Sequence, residues 1–114
     1  METRNIQDLI RFSDEKMSKV PIFDSENYFL DLYCLKPGQE QRAHTHAGSD
    51  KIYFVLRGNG VFHIAGEEKT LGEGQAVIAR PNEAHGLRNA TSEDLIVLVR
   101  SEEYTSELQS LRHL

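Results

Sequence analysis

Residues 38–60 read GQEQRAHTHAGSDKIYFVLRGNG, and the way this stretch is parsed decides the fold. Two histidines, His44 and His46, stand one residue apart. Side chains two apart on a strand share a face, so both imidazoles can converge on one point. A single metal ion is the commonest reason for such a pair. The same alternation places Glu40 and Arg42 on the histidine face. Ala47-Gly48-Ser49 breaks the strand, and Lys51–Arg57, rich in β-branched and aromatic residues, forms the next. Gly58-Asn59-Gly60 is a tight turn, after which residues 61–65 are expected to pair back.

Outward from this stretch, residues 27–36 alternate cleanly. Tyr28, Leu30, Leu32 and Cys34 lie on one face, and Phe29, Asp31, Tyr33 and Leu35 on the other. Both faces are largely apolar, which predicts a strand covered on both sides. Cys34 has no base beside it and reads as a small core residue. Further upstream, Ile6, Leu9, Ile10 and Phe12 recur at helical spacing with Asn5 placed to cap, while Val20, Ile22 and Phe23 around Pro21 suggest an edge strand. Residues 1–26 are therefore an N-terminal arm, either a lid on the core or a contact with a second subunit.

Downstream, short strands over 69–71, 75–79, 85–89 and 95–99 are separated by polar turns, the last strand fully apolar. Turn signals every 8–12 residues or so point to an all-β sandwich or barrel. Phe62, Ile64, Val77 and Ile78 read as packing, and His63 and His113 as exposed. Over 101–114, a capping Ser101, acids at 102–103 and Tyr104, Leu108 and Leu111 predict a short amphipathic helix.

With 114 residues, 39% hydrophobic and 27% charged, the chain has the makings of one globular domain. Its net charge of −5 and lack of a basic stripe argue against nucleic acid. No apolar run approaches the ~20 residues of a membrane span. METRNIQDLI lacks the pattern of a signal peptide, and Cys34, the single cysteine, has no partner for an intrachain disulfide. A cytoplasmic protein is the expectation.

The glycine and histidine spacing resembles the cupin family. Gly38, five residues, His44-Thr45-His46 and later Gly58 are similar to the first cupin motif; Gly74, Pro81, His85 and Asn89 are similar to the second. The resemblance covers residues 27–100 and implies a double-stranded β-helix, or jelly roll, with His44, His46 and His85 lining its interior around a divalent transition metal. Iron, manganese, nickel, copper and zinc all suit such donors. The family's usual fourth ligand is a glutamate, and here the chain departs. Counted back from Gly58, that position is Lys51; counted forward from His46 across three residues, it is Asp50. Neighbours on a regular strand face opposite ways, so the two are alternatives. An inward Lys51 beside a dication needs a neutralising carboxylate, for which Glu40 is a candidate, or must lose its proton. Asp50 as fourth ligand, a three-histidine site completed by water, and a metal-free site for an organic anion are the other arrangements. Asn82 and Glu83 stand where the family has a glycine-containing turn, a place Asn can fill because it tolerates left-handed backbone.

Function divides three ways: a metal-dependent enzyme, such as an oxygenase or isomerase, on a small organic molecule; a non-catalytic binding module for a small molecule or sugar; or a barrel that has lost catalysis through Lys51. The catalytic candidates are Lys51, Tyr53 with its phenol, Glu40, and Arg42 as a carboxylate anchor. Analogy with the family implies a homodimer, contacting through the arm and a sheet edge at residues 27–36.

Overall fold

A computed structural model describes residues 1–102. A single helical turn, α1 (Ile6–Leu9), precedes nine strands among the described residues: β1 (Ser18–Asp24), β2 (Tyr28–Leu35), β3 (Glu40–His44), β4 (Lys51–Arg57), β5 (Gly60–Ile64), β6 (Glu67–Leu71), β7 (Ala76–Ala79), β8 (His85–Arg88) and β9 (Leu95–Glu102). They form two antiparallel sheets, one in the order β1-β2-β9-β4-β7 and the other β3-β8-β5-β6. This is the all-β jelly roll expected.

The alternation of β2 explains why the molecule has two apolar layers. Tyr33 and Leu35 point between the sheets, joining Tyr53, Val55, Phe62 and the buried valines of β9. Leu32 and Cys34 point the other way, to a second cluster with Val20, Ile22 and Ile96 on the outer face of the five-stranded sheet. The arm roofs that outer cluster with Ile6, Leu9, Ile10 and Phe12. Asn5 caps α1 as its position suggests, its side-chain oxygen accepting from the Gln7 amide at 3.1 Å. The lid reading of the arm thus describes its packing on its own chain.

Three expectations are corrected. Residues 61–65 do not pair back on β4; β5 crosses to the second sheet and pairs with β6 and β8. The turn permits this because Gly58 has φ of 86°, and a Cβ there would sit 2.3 Å from the Asp94 carbonyl oxygen. β2 is not a sheet edge, since it is bonded to β1 on one side and β9 on the other; the edge is β1. Ser101 and Glu102 do not begin a helix but end β9, paired with Phe29 and Tyr28. The remainder of the helix expected over 101–114 lies outside the described residues, as does His113.

The β8–β9 turn is held by Asn89, which is 1% exposed. Its amide donates to the carbonyls of Leu35 and Glu93, and its oxygen accepts from the amide and hydroxyl of Thr91. A buried amide satisfied this fully is a latch between β2 and β8. His63 is half-buried rather than exposed. Arg88 donates to its Nε2 at 2.7 Å, and its Nδ1 lies 3.4 Å from Glu68, which also pairs with Arg88 at 2.7 Å.

Candidate metal centre

The two motifs meet because β3 and β8 are neighbours, with His44 directly opposite His85. The pairing is irregular: Gln41 faces Leu87, yet His44 rather than Ala43 faces His85. One extra residue on β3 marks a β-bulge, which shifts the alternation of the strand. Gln41 therefore turns inward, and Glu40 and Arg42, expected on the histidine face, turn out. They form a loose rim pair at 3.9 Å, the Arg42 side chain 92% exposed. Gly86 makes the bulge possible. A Cβ on it would stand 2.6 Å from the Gln41 carbonyl oxygen and 2.8 Å from the Ala43 nitrogen. The adjacent His46 is held by its carbonyl, which accepts from the Asn82 amide at 2.9 Å. Asn82 has φ of 68°, so the left-handed turn survives without glycine, as expected.

His44, His46 and His85 converge, their ligating nitrogens all within 4.8 Å of one another. Their ring centroids are 4.4 to 5.5 Å apart. Two of the rings have fixed tautomers. His44 Nδ1 donates to the Arg42 carbonyl and His85 Nδ1 to the Glu83 carbonyl, each at 2.9 Å. This leaves Nε2 of both as a lone-pair donor, the usual arrangement of metal-ligating imidazoles. His85 Nε2 is buried and has no hydrogen-bond partner. Burial pushes the His85 imidazole down to about 4, with Lys51 and the other two rings adding to the fall and the Glu83 carbonyl opposing it. His46 is lowered for similar reasons, burial first. Both are neutral near pH 7 and need lose no proton to bind a cation. The donors fit a divalent transition metal: three imidazole nitrogens, one an orphaned buried lone pair, with the remaining positions open.

Lys51 faces inward. It begins β4, whose burial alternates with Lys51, Tyr53 and Val55 inside. The residue is 6% exposed, and its Nζ lies 5.4 Å from the Tyr33 ring centroid and 5.5 Å from that of Tyr53. Burial, with Lys19 nearby, pushes its amine down to about 8, while Asp31 opposes the shift. Glu40, offered as its neutraliser, is exposed at the rim. Asp31, half-buried on β2, is the carboxylate whose field Lys51 feels; burial raises its pKa against the pull of Lys19 and Lys51. Asp50 is half-buried, its carbonyl accepting from the Glu102 amide at 3.1 Å, and it is not among the three converging residues. Tyr53 is fully buried, its hydroxyl donating to Gln41 Oε1 at 3.1 Å and its ring centroid 6.3 Å from that of His85. Gln41 Nε2 lies 3.4 Å from the Tyr33 hydroxyl. Burial raises both phenols, Tyr33 to about 12, so they remain protonated. Gln41 as a partner of the two buried tyrosines and Asp31 as the carboxylate acting on Lys51 were missed. Asp31 was visible on the Tyr33 face of its strand, whereas the only trace of Gln41 was the glycine after His85.

Residues 31–100 match the family model described as a cupin domain. The chain is 40% identical to the TT1209 protein of Thermus thermophilus, whose crystal structure superposes with a TM-score of 0.88 over 91% of this chain and 99% of that one. It is 34% identical over 61 residues to an oxalate-binding protein of Thermotoga maritima, an alignment spanning 54% of this chain and half of that protein. A predicted oxalate decarboxylase from Thermotoga maritima shares the fold, with a TM-score of 0.71 at 21% identity, over 82% of this chain and 97% of that one. Motif spacing, two-sheet topology and the match over most of the barrel have one conclusion: the chain belongs to the cupin family.

Proposed function

We propose that this cupin holds one divalent transition metal through Nε2 of His44, His46 and His85, and uses the cavity around it to bind a small carboxylate-bearing organic molecule. The observation that carries the reading is the orphaned Nε2 of His85, a buried lone pair in a ring whose other nitrogen is already spent on a backbone carbonyl. A buried acceptor without a partner costs roughly 1–3 kcal/mol, which a shared cation would offset. A bound dication supplies Lewis acidity and open coordination positions. The chain's residues supply the rest. Tyr53 and Gln41 wall the cavity with a fixed hydrogen bond, and Lys51 gives it positive charge. The carboxylate class is supported by the oxalate-binding relative, which this chain matches over half its length.

Untagged protein purified without chelators tests this. About one metal per chain is the expected content, and His46→Ala, at an exposed position, lowers occupancy at least tenfold without loss of fold. Protein with no stoichiometric metal, or a His46→Ala variant that keeps it, overturns the reading. Turnover of bound acids by the loaded protein separates an enzyme from a binding module. A homodimer completes the proposal. The outer face of β4 and β7 leaves Phe54 37% exposed, with Ile52 and Ile78 beside it half-buried. Sedimentation equilibrium distinguishes dimer from monomer.

A further inference from the structure

Lys51 carries a buried charge for which the described residues supply no direct partner. Among the described residues its ammonium has no hydrogen-bond acceptor and no carboxylate within ion-pair distance; its neighbours are the two tyrosine rings. Rings offset only part of the cost of burying a charge. The other groups that face it are the His46 and His85 imidazoles, the phenols of Tyr33 and Tyr53, the exposed Lys19 over the Tyr33 ring, and Asp31. With a dication on the histidines, the cavity holds two positive charges of metal and one of Lys51 against the single negative charge of Asp31. Lys19 is screened by solvent. Two positive charges remain uncompensated in a partly desolvated space, where the imbalance is expensive.

We propose that Lys51 is the specificity-determining residue of this cavity and that its ligand is a small dicarboxylate dianion, with one carboxylate on the metal and the other accepting from the Lys51 ammonium. The inference rests on the metal reading above and adds the ligand's charge and the residue that selects it. A dianion restores neutrality, a monocarboxylate leaves one charge over, and a neutral sugar leaves both. Among the described residues no carboxylate joins the three histidines, and the buried side chain beside them is a cation, so the ligand itself must bring the anion.

Isothermal titration with oxalate, malonate and acetate tests the proposal, with metal content measured separately on each sample. Loaded wild-type protein is expected to bind oxalate or malonate at least tenfold tighter than acetate. Lys51→Met keeps its metal and loses about 100-fold in dicarboxylate affinity, the scale of a buried charge pair lost. Lys51→Gln, checked for fold by circular dichroism, gives the same loss. Lys69→Met makes the same charge change on exposed β6 and leaves binding unaltered. Equal dicarboxylate binding by the Lys51 variants overturns the proposal, as does acetate binding as tightly as oxalate. Metal lost from Lys51→Met would make the amine a ligand and also overturn it. A wild-type chain that takes up no metal sinks the metal reading instead; Lys51 then stands or falls on whether oxalate binding to that metal-free protein vanishes in Lys51→Met.

Discussion

Lys51 brings to the candidate site a charge that is costly to bury. Its folded pKa of about 8 lies below the ordinary lysine value of about 10.4. Between those values the unfolded chain binds more protons than the folded one, so stability rises with pH across that window; below it the full cost of the buried charge is present. In metal-free protein, Lys51→Met is therefore expected to gain about 3 kcal/mol at pH 7 and to flatten the rise between pH 8 and 10, as read by urea denaturation across pH. A variant less stable than wild type at pH 7 would contradict this. The inward turn of Lys51 was one of two readings the sequence left open. Counting from Gly58 favoured it, counting from His46 favoured Asp50, and only the register of β4 separates them. The three histidines were legible because their spacing from each other and from the glycines marks two motifs in the sequence, and the β3–β8 pairing then brings those motifs together. Gln41 was not, because a bulge changes which side chains face in without marking the strand that carries it.

At the scale of the element, the bulge in β3 and the glycine facing it are one device. Gly86→Ala forces a methyl group against the β3 backbone at 2.6 to 3.0 Å, so either the strands part or the bulge is lost. A destabilisation of about 1–3 kcal/mol is expected, with metal affinity falling at least tenfold as His44 moves. Denaturation and metal titration on the same sample check both. An Ala variant with unaltered metal affinity would separate the glycine from the site. The Asn89 latch gives a contrasting case. Asn89→Ala leaves buried carbonyls of β2 and the β8–β9 turn without a donor and costs about 2–4 kcal/mol, with metal affinity nearly unaltered once the protein is folded. Alternation identified β2, and β-branched, aromatic or wholly apolar composition identified β4 and β9. Pattern reading of this kind says nothing about which strand pairs with which. It failed at the Gly58 turn, since glycine at positive φ serves a hairpin and a crossing between sheets equally well, and the choice rests on β9 lying between β2 and β4.

Across the whole molecule, the jelly roll separates a packed apolar interior, with Leu35, Phe62, Leu71 and Leu95, from the imidazoles and charged side chains of the cavity. Because the metal would tie β3 to β8, its removal should be felt globally. Metal at 100 times its dissociation constant adds about 2.7 kcal/mol, which raises the melting temperature of a domain this size by roughly 10–20 °C. Calorimetry with and without chelator reads the difference, and coincident melting curves would refute metal binding to the folded state. The roof of the outer layer has a different use. Cys34 is the chain's single thiol, is completely shielded, and sits in the cluster that the first dozen residues cover. Its rate of modification by a thiol reagent is therefore a clock for detachment of those residues. A rate far faster than global unfolding would mean that they lift off by themselves, leaving the rest of the chain intact beneath.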